Sequence, residues 1–461
     1  MPRVDALDPP VKLLSGERLE SVEELDLRDP ETMPGSLEEL CRLTGVETPE
    51  EIGLNGPAIG ARVTERNAGE AALRLFEVVF GRDSLTVALM VADLFPRLLE
   101  ATVLHLAGVL GREFDPLREE EPGRIAHEIR DMETDGVWGF PYYGSVDATP
   151  LFIRAAVRAI ERRPEFAVAP VPGREASVRD SLEATVAWLL RRLAVDELGL
   201  LSHRRANPHG LENQVWKDSW DSMSHADGAV CNHSAPVASV EAQALAYDAL
   251  VEGAPLHSTP TLLLEAAGRL ESAIEEHLWV DDQEGGFYAI GVDRDPASGE
   301  PRQLRTRASN MGWLLNSRLL DRPDHAARRR RLVNLLLSEE FLAEGGIRTL
   351  SAREQRFRPR AYHNGNVWGH DNYVISLGFA RHGFHDEAQE LQRRLVASCR
   401  ATHRFPEFVA GGEPGTELIA KRIVDVYDSH NGRVNRVEQP PQEIQGWTVG
   451  SMVAIEYASP I

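Results

Sequence analysis

Apolar residues recur at helical spacing along most of this chain, and they do so in two different ways. In the first, only one stripe is apolar. Val178, Leu182, Val186, Leu189, Leu190 and Leu193 share a face, as do Val237, Val240, Ala244 and Tyr247. Leu263, Ala266, Ala267, Leu270 and Ile274 form a third stripe, and Ala388, Leu391, Leu395 and Cys399 a fourth. In the second, residues 85–94 and 151–160 are apolar on nearly every side. A helix with no polar face must be surrounded, whereas a striped helix needs one neighbour. The alternation predicts an all-α chain with two concentric layers of helix.

Long connections separate these segments, over residues 112–147, 202–236, 279–309, 345–366 and 403–445. Connections of that length are functional or disordered. These are not low-complexity, and they hold most of the eight tryptophans. Aromatic and charged residues gathered at alternate helix junctions suit a toroid with a pocket at one end. No repeat of fixed period and no Gly/Ser-rich linker divides the chain. Residues 1–60 are Pro- and Glu-rich with weak periodicity and read as a peripheral N-terminal segment, leaving residues 61–461 as the main domain.

Composition narrows the partners. With 42% hydrophobic residues the chain can bury a sizeable core. A formal net charge of −22 repels phosphate backbones and anionic lipid, which disfavours nucleic acid and membrane surfaces. Cys41, Cys231 and Cys399 are too few and too far apart for a disulfide framework or a thiolate metal site. The N-terminus lacks the apolar core of a signal peptide, and no run of 18 apolar residues exists. The expectation is a cytoplasmic protein, with assembly into homo-oligomers left open.

Five segments carry candidate chemistry. Phe80-Gly81-Arg82-Asp83-Ser84 precedes an apolar helix, where Asp83 or Ser84 would cap it and Arg82 and Asp83 would grip sugar hydroxyls. In the segment 138–150, Trp138, Phe140, Tyr142 and Tyr143 precede Asp147, and Pro150 suits a first helical turn. Asp147 would cap that helix or, desolvated by aromatics, hold a proton as a general acid. Asn213 to Ser222 is the densest polar and aromatic stretch, and Trp216, Lys217, Asp218 and Trp220 read as sugar-binding. His225, Asp227 and His233 follow it, but no spacing matches a zinc or calcium site, so no metal is expected. Glu241 sits on a buried stripe and needs a partner such as Lys217. His363, Asn364 and Trp368 belong to a hydrogen-bonding run over 362–372, and Glu407 stands between Phe405-Pro406 and Phe408. No Gly-rich phosphate loop, Ser-His-Asp ordering or Cys-x-x-Cys pair is present, and no cofactor is expected.

Together these segments resemble the catalytic modules of bacterial amylo-α-1,6-glucosidase and glycogen-debranching-type proteins, with a weaker likeness to neutral and alkaline invertases. The matching pieces include 81–84, Tyr143 to Ala148, Asn213 to Gly228, Val240 to Ala244, Ser309-Asn310, Gly345 to Leu350, Tyr362 to Asn372, Phe405-Pro406-Glu407 and Pro441-Gln442 to Trp447. The resemblance implies an (α/α)6 toroid, a six-hairpin glycosidase-like barrel. It implies Asp147 as general acid and Glu407 as general base; should Asp147 prove a structural cap, Asp218 and Asp221 are the next candidates for the acid. Tyr143 and Trp447 join the sugar-binding set. Many relatives carry an N-terminal β-sandwich that this sequence lacks, and the closing Pro441-Gln442-Glu443-Ile444-Gln445-Gly446-Trp447 departs from the usual Pro-Gln-Ala-Trp. Both departures favour a small α-glucoside over a polysaccharide.

The leading expectation is therefore an exo-acting, inverting α-glucosidase on a small α-glucoside or oligosaccharide. The alternatives are an invertase-like β-fructofuranosidase on sucrose, and a sugar epimerase or isomerase using His203, His209, His225, His363 or His370 as bases. A non-catalytic binding toroid is a third reading.

Overall fold

The computed structural model describes residues 35–62, 77–130, 139–412, 418, 422–428, 433–439 and 441–458. Residues 1–34 and Trp138 lie outside the described residues. Twelve α-helices occur among the described residues: α1 (Ser36–Leu43), α2 (Gly81–Met90), α3 (Pro96–Gly108), α4 (Ala148–Arg162), α5 (Val178–Val195), α6 (Val240–Gly253), α7 (Pro260–His277), α8 (Trp313–Asn316), α9 (Ala326–Leu336), α10 (Gly369–Arg381), α11 (His385–Thr402) and α12 (Gly446–Tyr457).

Contacts between the even-numbered helices run in a circle. α2 packs on α4, α4 on α6, α6 on α8, α8 on α10, α10 on α12, and α12 back on α2. The odd-numbered helices pack against this circle, with α1 on α12, α3 on α2 and α4, α5 on α4, α7 on α6 and α11 on α10. Burial follows the two sequence patterns. Every residue of α12 from Gly446 to Ile455 is buried. α7 buries only Leu263, Ala266, Ala267, Leu270, Ala273 and Ile274. Burying a Leu or Ile side chain is worth roughly 1.5–3 kcal/mol, so a stripe of this kind fixes which face a helix presents.

Some boundaries differ from the sequence reading. The apolar run 85–94 is not one helix: α2 stops at Met90, and the N–H groups of Leu94 and Phe95 turn back to the Val91 carbonyl. Pro96 opens α3 and disfavours a helical conformation at Phe95, which sits at φ −127°, ψ 67°. Val237 is not helical either; it exchanges backbone hydrogen bonds with His203 ahead of α6.

The long connections are built from very short strands. Two-residue strands stand directly before four of the circle helices: Val79–Phe80 before α2, Ala238–Ser239 before α6, Val367–Trp368 before α10 and Ile444–Gln445 before α12. Each pairs antiparallel with another connection: Phe80 with Glu128, Ser239 with Gly291, Trp368 with Phe408, and Gln445 with Ala61. These pairings fix how the chain turns into the N-terminal end of each helix. Residues of the N-terminal segment take part: α1 packs on α12, and the Gly60 carbonyl accepts the Gly446 N–H at 2.8 Å.

At the start of α2 the fit leaves no room for a side chain. The Gly81 N–H donates to the His127 carbonyl at 2.9 Å, and a Cβ on Gly81 would stand 2.0 Å from the Ala126 carbonyl oxygen. Gly81→Ala is therefore expected to destabilise the protein by about 1–3 kcal/mol or more, read as a lower denaturation midpoint at unchanged m-value. An unchanged midpoint would mean that the 79–80 and 128–129 pairing is not rigid.

Candidate active site

A cavity of about 450 Å³ opens where the N-terminal ends of circle helices converge. Phe80, Arg82 and Asp83 come from the start of α2, Trp368 from the turn into α10, and Gln445 and Trp447 from the start of α12. The connections add Gly60, Ala61, His127, Trp216, Asp218, Tyr362, His363, Glu407 and Gln442. Trp216, Trp368 and Trp447 make an aromatic wall. Trp216 meets Trp368 edge-on at 5.8 Å, and Trp368 lies 6.0 Å from Trp447.

The charged centre is Arg82, which is almost fully buried. Its Nη1 donates to both oxygens of Asp147 at 3.3 and 3.2 Å, and its Nη2 donates to Asp218 Oδ2 at 3.1 Å. Asp83 stands 4.0 Å from Nε. Burial would lower the guanidinium pKa, but Asp147, Asp218 and Asp83 together outweigh it and keep the cation charged.

The carboxylates around it are not equivalent. Asp147 is buried behind Arg82, is absent from the cavity lining, and also accepts from Ser145 Oγ at 2.5 Å. Asp218 keeps 28% of its side chain open and borders the cavity. Burial pushes its carboxyl up to about 6; Arg82 opposes the shift, while Asp147 and Glu407 add like charge. Burial likewise pushes Asp83 up to about 7, against the pull of Arg82. Glu407 faces the cavity with Oε1 accepting from the Tyr362 hydroxyl and Oε2 from the Gln442 N–H at 3.1 Å. His363 Nδ1 lies 2.8 Å from Ser219 Oγ and accepts the Ser219 N–H at 3.3 Å. Burial, reinforced by Arg82 and Arg124, holds the His127 pKa well below its usual value, so that ring is neutral.

Of the expected site residues, Arg82, Asp83, Trp216, Asp218, His363, Trp368, Glu407 and Trp447 meet at the cavity. The others do not border it. Tyr143 donates its hydroxyl to the Val109 carbonyl at 2.7 Å and packs under Arg118. Trp220 stacks against Arg356, and Asn364 donates to Asp221. Lys217 lies beneath the floor, donating to the Thr349 carbonyl at 2.6 Å near Asp371 and Glu241. Burial lowers the Lys217 pKa, against the pull of Asp371 and Glu241, and raises that of Glu241, against Asn310, Ser239 and Lys217. Lys217 and Glu241 thus influence each other electrostatically, and neither borders the cavity.

The capping expectations also shift. Asp147 precedes α4 but makes no cap; Ser145 Oγ accepts the Ala148 N–H at 3.3 Å instead. Ser84 is inside α2 and donates to the Ala58 carbonyl. The cavity adds Phe80, His127, Tyr362, Gln442 and Gln445 to the expected set. Tyr362 and Gln442 sit in motifs the sequence marks, whereas His127 has no local signal and is placed by the pairing of 128–129 with 79–80. The three cysteines are free and buried, and no helix among the described residues is long and apolar enough to cross a membrane.

A helical fold with carboxylates and tryptophans sharing one cavity is compatible with a glycoside hydrolase. Residues 145–410 match the "Mannosylglycerate hydrolase MGH1-like glycoside hydrolase domain", and the chain belongs to that family. The family is not that of amylo-α-1,6-glucosidase, so the sequence resemblance holds for the reaction class and not for that enzyme. Among solved structures, an uncharacterized conserved protein from Thermus thermophilus is 16% identical with a TM-score of 0.53. GH63 mannosylglycerate hydrolase from the same organism is similar at 15% identity and TM-score 0.52 in complex with Tris, and at 16% and 0.51 in complex with glucose. Each alignment covers 92% of this chain and 98% of the other, and at this identity the likeness is one of fold. No curated protein matches the sequence.

The raised carboxyl of Asp83 gives a test of the site's electrostatics. Its pKa lies above the unfolded value, so its stabilising contribution is complete below about pH 4 and is lost as pH rises through about 7. Asp83→Asn removes that dependence. The melting temperature of the variant relative to the parent is expected to increase between pH 5 and pH 8, and a constant or decreasing difference would show that Asp83 is not held protonated by burial.

Proposed function

We propose that the chain is an inverting, exo-acting α-glycosidase that releases one hexose from a small α-glucoside or α-mannoside. In this reading Asp218 is the general acid and Glu407 the general base. Asp218 gives its proton to the glycosidic oxygen as the bond from that oxygen to the anomeric carbon breaks. Glu407 takes a proton from the water that attacks the opposite face of the sugar, so the anomeric configuration inverts. The observation that carries the assignment is that Asp218 and Glu407 both border one tryptophan-walled cavity, while Asp147 stands behind Arg82. A carboxyl pushed up to about 6 holds its proton at mildly acidic pH, as an acid catalyst requires.

Asp147, to which the sequence resemblance gave the acid role, becomes a positioning residue. It draws Arg82 onto itself through both carboxylate oxygens and leaves Asp218 a single contact. Phe80, Trp216, Trp368 and Trp447 would exclude water and stack on the glycone. The manno configuration and a small acid aglycone enter from the family's name, and the gluco configuration from the sequence resemblance. We further propose an (α/α)6 barrel in which α1 supplies one helix of the outer layer, so that the barrel begins before residue 61. The circular contacts of the even-numbered helices support the barrel.

The direct assay is sugar release from α-mannosylglycerate, α-glucosylglycerate, sucrose and isomaltose, with proton NMR following the first anomer formed. We expect hydrolysis of at least one with inversion; no release from any of the four, or retention, would sink the proposal. Asp218→Asn should lower turnover at least about a hundredfold on poor leaving groups, and much less on glycosyl fluorides, which need little protonation. Equal losses on both substrate types would remove Asp218 from the acid role.

Asp147→Asn separates the two carboxylates. Asp147 raises the Asp218 pKa by like charge and by sharing Arg82. Its neutralisation should move the alkaline limb of the kcat/KM profile to lower pH, while Asp218→Asn in that background should still spare glycosyl fluorides relative to poor leaving groups. An unshifted limb, with fluoride activity spared only in Asp147→Asn, would return the acid role to Asp147.

A further inference from the structure

A second concavity shares no lining residue with the catalytic cavity and is larger, an open groove of about 1160 Å³. Its wall is made by the 114–124 connection, the C-terminal end of α5 and the 202–206 stretch. Its carboxylates are already satisfied by the protein. Glu119 accepts from the N–H groups of Ala206 and Asn207 and from Gln214, Glu121 from Trp188 and Arg124, and Asp196 from Ser202 Oγ and two backbone N–H groups.

Two polar groups are not satisfied. His203 lines the groove with only 1% of its surface exposed, and neither ring nitrogen completes a hydrogen bond, although Asn213 lies alongside. The Nε of Arg192, also on the lining, is buried without a partner. Buried polar groups left unpaired by the protein are ordinarily met by water or ligand. Phe114, 71% exposed, and Val195, 68% exposed, give the same groove an apolar edge. Arg191 covers one side of the Phe114 ring at 6.0 Å and leaves the other open.

We propose that this groove is a second, non-catalytic carbohydrate site that holds one or two neutral sugar units. The choice of ligand follows from charge and hydrogen-bonding capacity. An anion would have to settle among five carboxylates (Asp115, Glu119, Glu120, Glu121 and Asp196), and a cation among the arginines that balance them. A neutral His203 offers one donor and one acceptor, the pair a hydroxyl can satisfy. Burial supports that state by depressing the His203 pKa to about 3. The open face of Phe114 suits the C–H face of a sugar ring, because the ring face carries negative quadrupole density. The groove adjoins the reaction centre through one strand of chain: Gln214 is on its wall, and Trp216 and Asp218 of the same segment border the cavity.

The test is an isothermal titration of the full chain with maltose, using Glu407→Gln as the parent so that no turnover contributes heat. A maltose isotherm is expected, weakened about tenfold or more by Phe114→Ala and by His203→Gln. Sodium citrate should not compete. Phe114→Ala lies on the surface, so folding is preserved, and in the chain with Glu407 intact it should leave kcat unchanged. The proposal is overturned if maltose does not bind, if both substitutions leave the isotherm unchanged, or if citrate displaces maltose. Because binding is read without hydrolysis, failure of the catalytic assignment would leave this result standing, and the reverse also holds.

Discussion

Arg82 is a cation removed from water and surrounded by carboxylates, and much of the site depends on how its charge is shared. A buried ion of this size costs several kcal/mol in lost hydration unless opposite charge and hydrogen bonds offset it. Asp147 supplies the offset from behind with two contacts, and Asp218 supplies a third from the cavity side. One guanidinium cannot hold three neighbouring carboxylates fully ionised. The excess negative charge appears as raised pKa values at Asp218 and Asp83, where burial is the largest cause. The same cluster therefore anchors the start of α2 to the turn before α4.

That cluster sits at one end of the molecule because helix starts are gathered there. The first N–H groups of a helix have no partner within it and favour nearby negative charge. Asp83 lies in the first turn of α2, Asp147 directly before α4, Glu241 in the first turn of α6 and Asp371 in the first turn of α10. Acidic residues at successive helix starts meet once the helices contact one another in a circle. The two-residue strands before α2, α6, α10 and α12 make those starts rigid, since each is tied to a neighbouring connection.

The layered helical arrangement was legible in part because burial writes itself into periodicity: the run 151–160, apolar on nearly every side, lies in circle helix α4, and the striped segments of α5, α7 and α11 pack outside the circle, whereas the segment 237–247, which reads as striped, belongs to the almost wholly buried circle helix α6. The motif regions were legible too, since Arg82, Asp218, His363 and Glu407 all reach one cavity. Depth was not legible. Asp147 and Asp218 both follow aromatic stretches, and only the fold puts one behind Arg82 and the other in front. His127 was invisible because nothing around it in the chain is unusual; a backbone pairing brings it to the wall. Helix ends were misjudged where local chemistry competes, as at Pro96, which stops the apolar run before it can continue as α2.

The segment Trp216-Lys217-Asp218 shows why depth escapes a linear reading. Three consecutive side chains serve three levels: Trp216 forms the floor, Asp218 rises to the cavity, and Lys217 points below among Glu241 and Asp371. Lys217 is fully buried, and its ammonium is held by the Thr349 carbonyl. Without it the buried Glu241 and Asp371 would lose the cation that lowers both their pKa values, and removing the partner of a buried charge is costly. The level above inherits this constraint. Trp216 packs nearly parallel to Trp313 at 6.2 Å and edge-on to His370 at 4.8 Å, so the floor has little freedom to tilt. Asp218 follows Lys217 in the chain, and its carboxylate is held from the cavity side by Arg82 Nη2 at 3.1 Å. Catalysis of glycosidic cleavage requires an acid fixed to within a fraction of an ångström of its leaving oxygen. In this chain Asp147 holds the guanidinium that in turn holds Asp218, and the Lys217 ammonium anchors the backbone below it on the Thr349 carbonyl.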